Sequence, residues 1–357
     1  MKHVNIPVFV PHLGCPKQCV FCDQRTISGV RSFVPGDARK TIETWLETLG
    51  GKKAEIAFFG GSFTGIGTEQ MTALLDLAEE YVAAGKAAGI RFSTRPDYVD
   101  PEILKILSRY TVAAAEIGIQ SSSDRVLALS GRGHTAEDSQ RAVSLLREAG
   151  IPVVGQMMLG LPGAGREDDA ATAEFIADCG ADAARIFPTV VLRGTVLYEM
   201  YREGTYMPLS VEEAVTRGAD ALSVFARRGV DCIRIRLPES ACRDGENGGY
   251  AAGPRHPAIG ERIRSELYGR ILESFLTEER VPTDERPEGA VLSAAVCPGE
   301  LSAAIGYRRE NQIRIENKYN VKKVKFIEKP GIPRYNIILS WDFARGEEES
   351  RHVSENA

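Results

Sequence analysis
Apolar positions switch repeatedly between a period of two and a period near 3.6, which predicts strands alternating with helices. Val4–Val10 reads as a short strand. Asp37 is placed to cap a helix through Ile42, Trp45, Leu46 and Leu49, which Gly50-Gly51 ends. Further strands are expected at Glu55–Phe59, Ile90–Thr94, Val112–Ile119, Ile151–Leu159 and Ala184–Phe187. Helical spacing separates them at Glu69–Ala88, just after Asp100-Pro101, at Thr135–Ala149 and at Glu167–Cys179. Six strands alternating with helices imply βαβ units and a parallel sheet. Right-handed crossovers then allow a doubly wound sheet or a full or partial barrel. The residues able to do chemistry follow Val10, Phe59, Thr94, Ile119 and Leu159, the C-terminal ends of successive strands. A barrel gathers those ends over one site. The expected fold is therefore α/β, a partial (β/α)6 TIM-type barrel.

Beyond Pro238 the pattern changes. Residues 243–257 are Gly-rich and turn-prone, suited to a linker or to a loop over the barrel mouth. Ala258–Phe275 has helical spacing, and a Pro/Asp-rich joint covers 281–289. Val291–Val296, a helix from Leu301 to Tyr319, Lys322–Ile327 and Asn336–Trp341 predict a small β-α-β-β unit. The expected division is a barrel over 1–238, a connector over 239–290, a small α+β appendage over 291–342 and a disordered acidic tail over 343–357.

Charge sharpens the reading of that appendage. The net charge of −5 argues against a protein that coats nucleic acid with its whole surface, but leaves room for a local basic patch. Arg308, Arg309, Arg314, Lys318, Lys322, Lys323, Lys325, Lys329 and Arg334 face only Glu310, Glu316 and Glu328 within that span. Ile305-Gly306-Tyr307-Arg308-Arg309-Glu310-Asn311 resembles a degenerate KH-type RNA-binding turn that lacks the second glycine of its clamp. Arg308, Arg309, Lys322, Lys323 and Lys325 are the candidate RNA contacts, with a solvated charged face as the alternative. No apolar run approaches the ~18 residues of a membrane span, and no secretory segment opens the chain. A cytoplasmic protein with no membrane partner is expected, and no DNA partner.

Seven cysteines, an odd number with three bunched together, do not read as a disulfide framework. Cys179 and Cys232 read as buried structural thiols, while Cys242 and Cys297 are left without a role. Cys15, Cys19 and Cys22 form a C-x3-C-x2-C run with Phe21 before the last thiol. Closely spaced thiolates hold Fe–S clusters, and three rather than four leave one iron of a cubane open. A zinc site completed by His12, or buried free thiols, would also use these residues.

This run resembles the signature of the radical S-adenosylmethionine (SAM) superfamily. The resemblance implies a 4Fe–4S cluster on Cys15, Cys19 and Cys22, with SAM chelating the open iron and Phe21 near its adenine. It further implies that the Gly60-Gly61-Ser62 loop meets the methionine amino group, that Arg95 pairs with the carboxylate, and that Gln120 reaches ribose or substrate. Gly160 would pass close to the adenine. Each of these residues also has a plain structural reading: a tight turn, a solvated arginine or a satisfied buried amide.

A narrower resemblance rests on several motifs. These are Thr94-Arg95-Pro96-Asp97-Tyr98, Ala115–Ser121, Gly131-Arg132-Gly133-His134-Thr135, Gln156–Gly163, Arg185-Ile186-Phe187-Pro188-Thr189, Arg193–Tyr198 and Gly204-Thr205-Tyr206. From Ile56 to Pro238 the chain resembles the radical domain of the Elongator catalytic subunit family, which acts on the wobble uridine of tRNA. That family spaces its first two cluster cysteines further apart, and its acetyltransferase domain has no recognisable acetyl-CoA loop here. The implied activity is reductive cleavage of SAM to a 5′-deoxyadenosyl radical for modification of tRNA or another RNA, with an electron donor of the flavodoxin or ferredoxin type. The alternatives are a small-metabolite enzyme resembling the porphyrinogen oxidase branch, and an RNA-binding protein with a structural cluster.

Overall fold
The structure is a computed structural model and describes residues 4–10, 13–15, 19–28, 33–236, 249–276, 291–319 and 321–342. His12, Cys242, the 281–289 joint, the expected tail and the first part of the Gly-rich stretch lie outside the described residues.

The elements run β1 (Asn5–Phe9), α1 (Gln24–Ser28), α2 (Pro35–Thr48), β2 (Ala54–Phe59), α3 (Thr68–Ala83), β3 (Ala87–Thr94), α4 (Pro101–Leu107), β4 (Val112–Gln120), α5 (Asp124–Leu129) and α6 (Ala136–Glu148). Next come β5 (Val153–Leu159), α7 (Arg166–Asp178), β6 (Ala183–Pro188), β7 (Val191–Leu192), α8 (Val196–Arg202), α9 (Val211–Arg228), β8 (Asp231–Ile235) and β9 (Tyr250–Ala252). The chain continues through α10 (Ile259–Phe275), β10 (Val291–Val296), α11 (Leu301–Ile305), α12 (Glu310–Lys318), β11 (Lys323–Glu328) and β12 (Ile337–Asp342).

Contacts divide the chain into one unit of Met1–Ser210 with Asp231–Arg255 and another of Val211–Val230 with His256–Ala357. The first unit holds a seven-stranded sheet in the order β1-β2-β3-β4-β5-β6-β8, parallel at each pairing. The order never reverses. Right-handed crossovers without a reversal keep the helices on one side, so the sheet curls into a partial TIM-type barrel rather than a doubly wound fold. The sequence reading anticipated six of these strands and missed β8. Alternation sorts the side chains. On β4, Ile117 and Ile119 are buried apolar positions, while Glu116, Gly118 and Gln120 line the inner cavity.

Several element ends differ from expectation for local reasons. α2 starts at Pro35, with Val34 as N-cap and no side-chain cap bond, so Asp37 lies inside the first turn. α3 stops at Ala83 because Gly85 turns left-handed at φ 69°, which frees Ala87 to begin β3. α6 carries the expected Thr135 cap as a full capping box with Asp138.

In the second unit, α9 lies on α10. Gly218 leaves the space that Ile263 fills, and Arg270 donates to Asp220 at 2.7 Å and to the Thr216 carbonyl. The expected boundary at 238 assigned this helix to the barrel, whereas its contacts group it with the C-terminal elements. β10 is the centre of a three-stranded sheet, parallel to β11 and antiparallel to β12. The single helix expected over Leu301–Tyr319 is broken. Gly306, Arg308 and Arg309 adopt φ of 93°, 53° and 65°, and buried Asn311 donates to the Ala304 and Ser265 carbonyls across the break. A Cβ at Gly306 would lie 2.6 Å from the Asn311 backbone nitrogen, so only glycine fits.

Candidate active site
A cavity of about 240 Å³ opens inside the first unit, lined by Cys15, Cys19 and Cys22 together with Phe21, Gly60, Gly61, Arg95 and Gln120. Residues far apart in sequence thus converge on one wall system. Ser62 and Gly160, also expected there, are not among the lining residues and have partners elsewhere.

The cysteine loop is held by backbone contacts. The Cys22 N–H donates to the Cys19 carbonyl at 3.0 Å, and the Val20 N–H to the Ser130 carbonyl at 3.1 Å. The loop after β2 packs against it main chain to main chain. Ser62 N–H donates to Leu13 C=O at 3.0 Å, and side chains at Gly14 or Gly61 would overlap opposing carbonyls. These glycines therefore serve the close approach of two loops, with Gly60 and Gly61 exposed to the cavity on their free side. Ser62 Oγ sits 2.8 Å from Thr94 Oγ1 and accepts from Arg95 N–H, while Thr64 bridges Thr94 and the Tyr98 carbonyl. Ser62 ties the β2 loop to the β3 loop.

As free thiols Cys15 and Cys22 are poor nucleophiles. Burial pushes the Cys22 thiol up to about 12, with repulsion from Cys19 adding to it and the Gln24 amide opposing it. Burial and then Cys19 also raise Cys15, against the pull of Arg132 and Arg95. A bound cation is what favours their thiolates. Among the described residues no three Cys, His, Asp or Glu side chains converge on a single-ion centre.

Arg132, quoted in the sequence only as part of a motif, belongs to this site. Its Nη1 donates to Cys19 Sγ at 3.3 Å and its Nη2 to the Gly118 carbonyl at 2.7 Å, while Nε is buried without a partner. Positive φ at Gly131 and Gly133 shapes the turn that delivers it. Arg95 grips Asp97 with both prongs, at 2.9 and 2.8 Å, and keeps Nη1 buried and unpartnered. Its cation is already paired, so only that third nitrogen is free for a ligand. Gln120 ends β4 in the left-handed region at φ 68°, where a register shift in the β4–β5 pairing re-aims it. Its buried Oε1 has no partner, and strain with an unsatisfied group is characteristic of ligand-binding positions. Phe21 packs against the group of Val126, Met158 and Leu161, making an apolar wall beside the cysteines. Gly160 instead donates its N–H to the Asp169 carboxylate, and its carbonyl accepts from Tyr206 Oη at 2.8 Å.

His134 stands behind this wall, its Nε2 3.2 Å from the Ile119 carbonyl. Burial, then the Arg132 and Arg95 cations, lower its pKa to about 4. An unfolded chain protonates this ring near 6.5, so between those values the unfolded state binds the extra proton. Stability is therefore expected to be full above pH 6.5 and to fall as pH drops toward 4, by on the order of 3 kcal/mol. Comparing urea midpoints of wild type and His134→Asn at pH 7 and pH 4.5 checks this, because the variant lacks this part of the slope.

The inner face below these loops carries charge. Glu116 accepts from Arg185 Nη2 at 2.6 Å, Gln156 Nε2 at 2.7 Å and Arg91 Nη1 at 3.3 Å, and Arg91 Nε pairs with Glu55 at 2.6 Å. Its members lie on five different strands, β2 to β6, so no local sequence pattern marks the network.

In the second unit, Arg308 and Arg309 are exposed at the break between α11 and α12, and Lys322, Lys323 and Lys325 are exposed on and just before β11, an edge strand of its sheet. No helix among the described residues is long and apolar enough to cross a membrane.

Comparison with known proteins agrees with this architecture. Residues 9–176 match the model of the radical SAM superfamily, and residues 181–269 match that of the radical SAM C-terminal domain. An uncharacterized protein of Methanocaldococcus jannaschii is 31% identical over 62% of this chain and 71% of its own length. A tRNA uridine(34) acetyltransferase of the same organism is 33% identical over 46% of this chain, but over only 31% of its own length. Elongator complex protein 3 of Saccharomyces cerevisiae is 35% identical over 39% of this chain and 26% of its own. The archaeal Elp3 of Methanocaldococcus infernus superposes with a TM-score of 0.58 at 24% identity, covering 82% of this chain and 70% of that one. Members of the superfamily bind a 4Fe–4S cluster and SAM. On these matches the chain belongs to the radical SAM superfamily and is homologous to the radical SAM region of the Elongator proteins.

Proposed function
We propose that this radical SAM enzyme modifies tRNA, holding its cluster on Cys15, Cys19 and Cys22. The observation that carries the substrate reading is the 33% identity to an enzyme named for tRNA uridine 34, over 168 residues. The donor set suits the group: three thiols open on one cavity, with unpartnered nitrogens of Arg132 and Arg95 beside them. Bound there, the cluster and SAM supply one-electron chemistry that ends in a carbon-centred radical. The chain's own residues do the rest. Arg95 Nη1 offers a donor to the SAM carboxylate, Gln120 Oε1 accepts from a hydroxyl, Phe21 packs on the adenine, and Gly60 and Gly61 keep the wall free of side chains. The electron comes from a flavodoxin- or ferredoxin-type donor. Exposed Arg308, Arg309, Lys322, Lys323 and Lys325 supply the phosphate contacts of an RNA-handling surface.

Mass spectrometry of tRNA nucleosides from cells with and without the protein tests the reading. One modified nucleoside is expected to disappear, and identical nucleoside profiles would overturn it. Replacing Lys322, Lys323 and Lys325 together with Gln is expected to weaken tRNA binding several-fold. The slope of log K against log salt should flatten by up to about 2–3, since each lost phosphate contact in a duplex removes about 0.9.

A further inference from the structure
Four guanidinium groups line the cavity, those of Arg95, Arg132, Arg185 and Arg234, and Glu116 is the one carboxylate among the described lining residues. They divide by position along the sheet. Arg95 and Arg132 lie on the cysteine side and are matched by Asp97 and by the cysteine sulfur. Arg185 on β6 and Arg234 on β8 lie directly opposite one another in the parallel register, and among the described residues neither bonds to a cysteine of the run. Glu116 answers for Arg185, but it is shared with Arg91. Arg185 is 8% exposed, and its Nε is buried with no partner. Arg234 donates its Nε to the Arg236 carbonyl, and no carboxylate among the described residues lies within ion-pair distance of it. Burial, followed by the Arg185 and Arg236 cations, lowers its affinity for its proton. Two adjacent guanidiniums with surplus donors and a shared counter-charge are costly in a half-buried cavity unless an anion enters.

We propose that Arg185 and Arg234 form an oxyanion-binding subsite for the substrate, taking a carboxylate or phosphate group at the β6–β8 wall of the cavity. A guanidinium presents a planar fork that matches either group. Held there, the substrate spans from the β6–β8 wall toward Phe21 and Gln120, which orients the atom next to the cofactor. This deepens the radical SAM reading and rests on it, but oxyanion binding itself requires neither tRNA nor turnover.

The test is thermal stabilisation of the anaerobically reconstituted protein by inorganic phosphate and, separately, by acetate, at constant ionic strength made up with chloride. At least one of the two is expected to raise the melting temperature saturably. Arg234→Gln should raise its half-saturating concentration tenfold or more, and Arg234→Lys should retain part of the effect. Preference for phosphate identifies a nucleotide-type group and preference for acetate a carboxylate-type group. Arg185→Gln should behave like Arg234→Gln. If removing Arg185 prevents folding, the Arg234 variants alone decide. Saturation by neither anion, or equal saturation in wild type and Arg234→Gln, overturns the proposal. So does an effect lost in the Lys322→Gln, Lys323→Gln, Lys325→Gln variant, which alters only the second unit. If anion binding survives while tRNA nucleosides stay unchanged, the RNA reading fails and the subsite stands.

Discussion
Replacing Cys15, Cys19 or Cys22 with Ala is expected to strip the anaerobically reconstituted protein of its iron and to end reductive cleavage of SAM. The reason is the count of donors. Three thiols open on the cavity, and none of the described neighbours offers a spare carboxylate or imidazole to replace one. Gln24 Nε2 lies 3.4 Å from Cys22 Sγ, and Arg132 Nη1 3.3 Å from Cys19 Sγ. Both are donors, able to steady a thiolate and unable to ligate in its place. Losing an outer-shell partner costs a metal site about 10–100-fold, so losing a ligand should exceed that. Wild type should hold about four irons per chain and release 5′-deoxyadenosine when reduced, measured by iron assay and chromatography. A triple Cys→Ala variant that kept both properties would sink the assignment.

The largest effect on stability is expected at Glu116, which is 1% exposed and holds two arginines and a glutamine. Glu116→Ala leaves Arg91 with Glu55 alone and leaves Arg185 with no carboxylate, both inside the barrel. Breaking a buried pair by removing one partner costs about 3–5 kcal/mol, which for a unit of this size lowers the melting temperature by roughly 10 °C. The exposed pair of Arg39 and Glu80, at 2.8 Å and about half exposed on each side, is the control. Its Arg39→Ala variant should leave the melting temperature essentially unchanged, because solvent screens an exposed pair. Calorimetry on both variants separates buried from solvated pairing at nearly equal distances.

What was legible in the sequence follows from how local each signal is. The cysteine run, Arg95 and Gln120, which line one cavity, are candidates in the sequence because unusual residue types at strand ends stand out within a few positions. The alternation of strands and helices is likewise local, and it placed six of the seven strands of the barrel. Arg132 was missed as a site residue because its partner Cys19 lies 113 positions away. Glu116 and Arg185, separated by 69, were hidden for the same reason, each reading as a lone polar residue in an apolar strand. Ser62 and Gly160 look like ligand positions in sequence, but buried hydrogen bonds to other loops occupy them. The break at Gly306 has little local signal, because one glycine costs a helix only about 1 kcal/mol. The left-handed turns of Arg308 and Arg309 have no marker in residue type.

The incomplete barrel has a consequence for self-association. Among the described residues β1 pairs only with β2, and β8 only with β6, so the sheet ends in two bare edges that a closed barrel would lack. Such edges invite another chain to add a strand. Both are only five residues long, and β1 carries Pro7, which has no N–H to offer an intruding strand. β8 carries Asp231 and Arg234, whose charges burden any foreign strand laid beside them. The two unpaired edges are thereby kept from becoming a seed for aggregation.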